Sequence, residues 1–243
     1  MAAVTPSETS GLTTPSVLVA LPGTGSDADY ARRAFGPLAD ELGLHLIAVD
    51  PGPDGVGAAY LRALEDTAAA NGPVLVAGIS IGACVGVGWA LGSDACAGVV
   101  AAMPPWLYDE ESAPSPAARS ALATVDLIDR LGTDGAITEM RANTPAWLGA
   151  ELGRSWTSIG APLRSQLAEA AAMRTPTAPM LSALRVPLAV VGVREDPIHP
   201  HDVARRWADL APRSAMSAIT FDDWGEDAGT IGRAAAAAWT DLA

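Results

Sequence analysis

Lysine is missing from this chain of 243 residues, and all fifteen basic positions are arginine. Schiff-base chemistry on a lysine amine and a lysine general base are thereby excluded. Histidine occurs only at His45, His199 and His201, so any imidazole chemistry must use one of three side chains. The two cysteines, Cys84 and Cys96, are too few for a disulfide framework or a zinc cluster, and both read as small buried hydrophobes. No apolar run is long enough to span a bilayer. Residues 1–15 lack the basic start and apolar centre of a secretory signal, so a flexible leader and a soluble, cytoplasmic protein are expected. Positive charge is scarce overall. The net charge is −13, which argues against nucleic acid or an anionic membrane as a partner and leaves a small molecule. Oligomeric state is left open.

Apolar residues are plentiful, at 49% with a mean hydropathy of +0.23, enough to bury the core of one α/β domain. Short apolar runs at Ser16–Leu21, Leu44–Val49, Val74–Ala77, Ala97–Ala102, Val186–Val193 and Ala215–Phe221 read as about six strands. Helical stretches separate most of them, the first opened by Ser26 with Asp29 in the manner of a capping box. This alternation predicts a doubly wound parallel sheet with helices on both faces, whose working groups gather outside the carboxyl ends of the strands. The rhythm breaks over 104–184, where helical stretches, at about 117–131, 134–141 and 163–173, predict a helical cap inserted into a core of 16–103 and 185–243. The cap carries Trp106, Tyr108, Trp147 and Trp156, some of which should face the pocket roof.

The most informative stretch is Gly78-Ile79-Ser80-Ile81-Gly82. It follows a buried strand and opens a small-residue helix, the setting of a nucleophile elbow. A Cβ at Gly78 or Gly82 would clash across so sharp a turn, and Ser80 would be held in a strained conformation at the sheet edge. The N–H of Ile81 then faces the position of a developing oxyanion.

With Ser80 so placed, the chain resembles the α/β-hydrolase superfamily over nearly its whole length. Leu21-Pro22-Gly23-Thr24-Gly25 stands where that family has its oxyanion loop, with Pro22 in place of a common histidine; the resemblance implies that the N–H groups of Thr24 and Ile81 form the oxyanion hole. Asp50-Pro51-Gly52 looks like the family's Asp-x-x-Gly turn. Val190 to Pro200 resembles its acid loop, which implies Asp196 as the orienting carboxylate, with Glu195 as the spare. The family's histidine follows the last strand, but Phe221 to Gly229 contains none. Glu226 falls in its place after Gly225, whereas His199 lies three residues after Asp196 on the same sheet edge, so both are candidate bases. His45 reads as structural, and His201 as a solvent-facing residue at the start of a helix.

The resemblance implies a serine hydrolase of small or medium esters, thioesters or amides, without cofactor or metal, whose pocket includes Gly23, Trp106 and Trp147. The missing histidine keeps a second reading open: a degenerate α/β-hydrolase that binds a small apolar ligand or performs non-hydrolytic chemistry. A third comes from Gly23-Thr24-Gly25-Ser26-Asp27-Ala28, a G-x-G-x-x-A match, with Asp50 at the end of the next strand, as in dinucleotide-binding folds. Pro22 and the charges of Asp27 and Asp29 oppose a pyrophosphate there.

Overall fold

The computed structural model describes residues 15–53, 55–108 and 114–242. Six strands form one parallel sheet: β1 (Val17–Leu21), β2 (His45–Ala48), β3 (Val74–Ile79), β4 (Cys96–Ala102), β5 (Leu188–Val193) and β6 (Ser214–Ile219). Their order across the sheet is β2-β1-β3-β4-β5-β6. The order reverses between β1 and β3, and at such a switch point the connections leave to opposite faces and open a crevice at the carboxyl edge. Strands β1, β3 and β5 are buried at every residue, whereas the edge strands β2 and β6 are mostly half-buried. That contrast explains the continuous apolar runs of the inner strands.

Helices α1 (Ala28–Leu42), α2 (Val56–Asn71) and α3 (Ile81–Gly92) follow the first three strands. Among the described residues four more stand between β4 and β5: α4 (Pro116–Ala142), α5 (Ala146–Ile159), α6 (Leu163–Ala172) and α7 (Ala178–Ser182). Then come α8 (His201–Leu210) after β5, and α9 (Phe221–Glu226) and α10 (Thr230–Thr240) after β6. The sheet has a core on each face, one shared with α2, α3 and α8 through Tyr60, Val87 and Trp207, the other with α1 and α10 through Phe35, Leu38 and Ile231. Helices α4–α6 pack on one another around a third cluster that includes Val125, Ile137, Trp156 and Leu167. No described helix is long and apolar enough to cross a membrane.

The architecture is the expected doubly wound sheet of six parallel strands with a helical insertion. Local details differ. The cap of α1 is Asp27, not Ser26, its carboxylate accepting from the N–H of Tyr30. Helix α4 is broken at Gly132, whose φ of 70° only glycine adopts readily, so the two helical stretches expected there join across a kink. Helix α5 was not anticipated, because Gly149 and Gly153 lower its local propensity. Those glycines give room to Arg141 of α4, whose Nη2 lies 2.3 Å from where a Cβ on Gly153 would sit. Residues 1–14, nearly all of the expected leader, lie outside the described residues.

Candidate active site

Ser80 joins β3 to α3 with φ 51° and ψ −109°. A Cβ on Gly78 would come 2.2 Å from the carbonyl carbon of Gly82, and one on Gly82 would come 2.5 Å from the carbonyl oxygen of Leu21. Both glycines are therefore fixed by the turn. Strain of this kind costs on the order of 1–3 kcal/mol. Burial of the flanking strand and helix offsets it, with the Ser80 N–H bonded to the Ala102 carbonyl at 2.9 Å.

The loop after β1 lies directly against this turn, a Cβ on Gly23 being 3.7 Å from that of Ser80. The N–H of Ser26 donates to the Gly23 carbonyl at 3.1 Å, which curls the loop. Ile81 is the first residue of α3, so its N–H has no intrahelical acceptor. Among the described residues the N–H groups of Thr24 and Ile81 have no protein acceptor at all. Three consecutive residues of α5 hold the loop from the other side. Arg154 grips Asp27 with two hydrogen bonds of 2.8 Å, the Ser155 hydroxyl donates to the Gly25 carbonyl at 2.7 Å, and the Trp156 indole fills the space a Gly25 side chain would need. Tyr60 adds a bond to the Pro22 carbonyl at 3.1 Å.

The loop after β5 brings the acid and an imidazole together. Glu195 takes φ 62° and turns the chain so that Asp196 points inward, its side chain 3% exposed. One carboxylate oxygen, Oδ1, accepts from the N–H of Ile198 at 2.8 Å, an Asx turn that bends Asp196-Pro197-Ile198-His199 back on itself. The other, Oδ2, lies 2.9 Å from His199 Nδ1, and His199 Nε2 lies 3.0 Å from Ser80 Oγ. Burial alone would push the Asp196 carboxyl up. The His199 hydrogen bond and charge, with the N–H groups of Ile198 and His199, outweigh it and hold the group below its usual range. An ionised carboxylate can only accept, so Nδ1 carries the proton and the Nε2 lone pair faces the serine hydroxyl. Such an array can take the proton of Ser80 as its oxygen attacks an electrophile and can stabilise the imidazolium that results.

The loop after β6 does something else. Thr220 and Asp223 form a reciprocal cap for α9, which the Thr220-x-x-Asp223 spacing encodes. This helix directs Phe221 and Trp224 at Trp147 of α5, with ring centroids 4.9–5.5 Å apart. Gly225 is needed there because a Cβ would come 2.5 Å from the Trp147 indole nitrogen. Glu226 does not take a base's position: it lines an outer hollow with Arg33 and Arg233 and is not part of the cavity that contains Ser80.

That cavity measures about 580 Å³ and is mostly apolar. It contains Ser80, Asp196, His199, Gly23, Thr24 and Trp147, includes Trp156 from the cap aromatics, and adds Met103, Leu148, Phe221 and Trp224, whose part in it sequence spacing did not reveal. The aromatic signal was present, but α9 is too short to show periodicity. Trp106, expected in the pocket, is not among its walls; its carbonyl accepts from Trp207 Nε1 at 2.9 Å, which ties the end of the β4 loop to α8. His201 opens α8 but is turned inward, its ring 3.0 Å from where a Gly192 Cβ would sit. At the N-terminus of α1, where a pyrophosphate would have to sit, Asp50 accepts from the N–H of Ala28 at 2.8 Å and Asp27 from that of Tyr30 at 3.0 Å. Both cysteines are buried, and burial pushes their thiols up, Cys96 to about 12.

The sequence matches no family model and no curated protein. Solved structures do resemble it. MenH from S. aureus is 16% identical, with 96% of each chain covered and a TM-score of 0.68. The esterase RhEst1 from Rhodococcus sp. ECU1013 is 20% identical over 94% of this chain and 90% of its own, at 0.65. A hydrolase from Oleispira antarctica is 16% identical over 94% and 90%, at 0.66. At these identities the likeness is one of fold. The chain has the α/β-hydrolase fold.

Proposed function

We propose that this protein is a serine hydrolase acting on a small or medium carboxylic ester, with Ser80 as nucleophile, His199 as general base and acid, and Asp196 as the orienting carboxylate. The observation that carries the reading is the continuous hydrogen-bonded chain from Asp196 through both nitrogens of His199 to Ser80, at 2.9 and 3.0 Å. It supplies the base whose absence from the loop after β6 favoured a degenerate protein. That the structural neighbours include an esterase and a hydrolase is in keeping with it.

In the first half-reaction Ser80 Oγ attacks the ester carbonyl carbon while His199 Nε2 takes the hydroxyl proton. The oxyanion forms against the N–H groups of Thr24 and Ile81, each such donor being worth roughly 10²–10³ in rate. Collapse breaks the bond to the leaving alcohol, which takes the proton from His199, and leaves an acyl-Ser80. Water then attacks the acyl carbon, again giving a proton to His199. The carboxylic acid departs, and the proton returns to Ser80. Thioesters and amides would follow the same course with a thiol or amine leaving.

Labelling by a fluorophosphonate tests this. The wild type should be labelled once per chain, and Ser80→Ala not at all. Absence of labelling in folded wild-type protein, together with no hydrolysis of simple esters, would end the hydrolase reading.

A further inference from the structure

Resting on that hydrolase reading, we propose that the site selects uncharged esters with an apolar acyl chain, and that Glu151 of α5 is the residue that turns anionic substrates away. All fifteen arginines fall among the described residues, and none of them lines the cavity that holds Ser80. With no lysine in the chain, the only charged side chains in its walls among the described residues are Asp196, His199 and Glu151. Asp196 and His199 are engaged with each other and with Ser80. Glu151, although paired with arginines that do not line the cavity, is the remaining charge in its described walls.

Two guanidinium groups pair with Glu151, and each also binds at least one further carboxylate. Arg33 binds Asp29 at 3.0 Å and both oxygens of Glu151 at 2.9 Å. Arg154 binds Asp27 at 2.8 Å, Glu151 through Nε at 3.1 Å, and Asp29 at 3.6 Å. Asp27, Asp29 and Glu151 against Arg33 and Arg154 leave the group with one net negative charge. No cation is left over for a substrate anion.

Three hydroxyls of the wall are committed too. Thr124 donates to the Ser120 carbonyl and Thr144 to the Met140 carbonyl, both at 2.9 Å, and Ser155 donates to Gly25. A carboxylate entering this cavity would lose much of its hydration and find no countercharge, while facing Glu151. A methyl-terminated chain loses nothing polar and meets Met103, Leu148, Leu152 and Trp156. Rejection by a placed like charge, rather than by shape alone, is how a site of this size can discriminate substrates of equal length.

The test compares two 4-nitrophenyl esters of matched length, the hexanoate and the mono-ester of adipic acid, whose far end is a carboxylate. Wild-type kcat/KM should favour the hexanoate by roughly 100-fold or more. Glu151→Gln should narrow that ratio about tenfold, because Arg33 and Arg154 are then under-neutralised. The wild-type ratio does not depend on that variant folding. Ser80-dependent hydrolysis of both esters within threefold, or faster hydrolysis of the adipate, overturns the proposal and leaves the hydrolase standing. Fluorophosphonate labelling without hydrolysis of either ester overturns the substrate class alone. Loss of labelling as well removes the hydrolase beneath it.

Discussion

The loops after β5 and β6 leave the same edge of the same sheet, yet they divide the work unevenly. The loop after β5 holds acid and imidazole within four residues, and one carboxylate does two tasks: Oδ1 shapes the turn and Oδ2 orients the ring. The loop after β6, where the superfamily resemblance would put the histidine, holds a short capped helix whose Phe221 and Trp224 wall the cavity with Trp147. A base is defined by where its nitrogen stands and not by the loop that carries it. Under the proposed roles, a base on the acid's own loop leaves the loop after β6 to shape the pocket.

The sharpest way to break this comparison is to remove each candidate base in turn. His199→Ala should lower kcat on the order of 10⁴-fold or more, whereas Glu226→Gln should leave it within about twofold. The reverse result, read in steady-state kinetics of a neutral ester, would return the base to the loop after β6. Asp196→Asn should cost on the order of 10³–10⁴-fold in kcat, because an amide turned to the imidazole favours the wrong tautomer.

The aromatic wall should answer differently. Trp224→Ala removes a face of the cavity and the indole N–H that bonds Tyr30. It should raise KM for an apolar ester roughly tenfold with a much smaller change in kcat. A fall in kcat as large as that of His199→Ala would mean that this loop takes part in the chemistry after all.

A smaller effect is expected at the support of the oxyanion loop. Ser155 is 1% exposed and fixes the Gly25 carbonyl. Ser155→Ala leaves that carbonyl without this donor, at a cost of about 1–3 kcal/mol of stability by thermal unfolding. If the loop it fixes presents the Thr24 N–H, kcat should also fall about threefold to tenfold at constant KM. Stability lost with kcat intact would make Ser155 structural only.

The smallest effect is a pH dependence in the loop after β5. The Asp196 carboxyl is held below its usual 3.8, so its contribution to stability is complete above that value and is lost as pH falls through the lower folded value. The difference in unfolding free energy between wild type and Asp196→Asn should shrink as pH falls below 3.8.

Much of this was legible in the sequence. Period, run length and turn chemistry located the six strands, the Ser80 turn, the acid loop and the insertion, because each depends on residues close together in the chain. Gly78 and Gly82 are the clearest case: the turn tolerates no Cβ, so the requirement is written at those positions. Helices α5 and α9 were not legible, α5 because its glycines answer to Arg141 on another helix, and α9 because six residues carry too little periodicity. Trp106 could not be separated from Trp147 by sequence, since both sit among small and apolar residues and only their neighbours in space differ.

The choice of base was of the same kind. From the sequence by itself came the sheet, the serine at its edge, and the fact that only three imidazoles exist to serve it. Only the tertiary structure decided that His199 reaches Ser80 and Glu226 does not, because β3 and β5 are brought to one edge with β4 between them, and residues 119 positions apart then meet at 3.0 Å. Local patterns fix which groups are available. The sheet order fixes which of them touch.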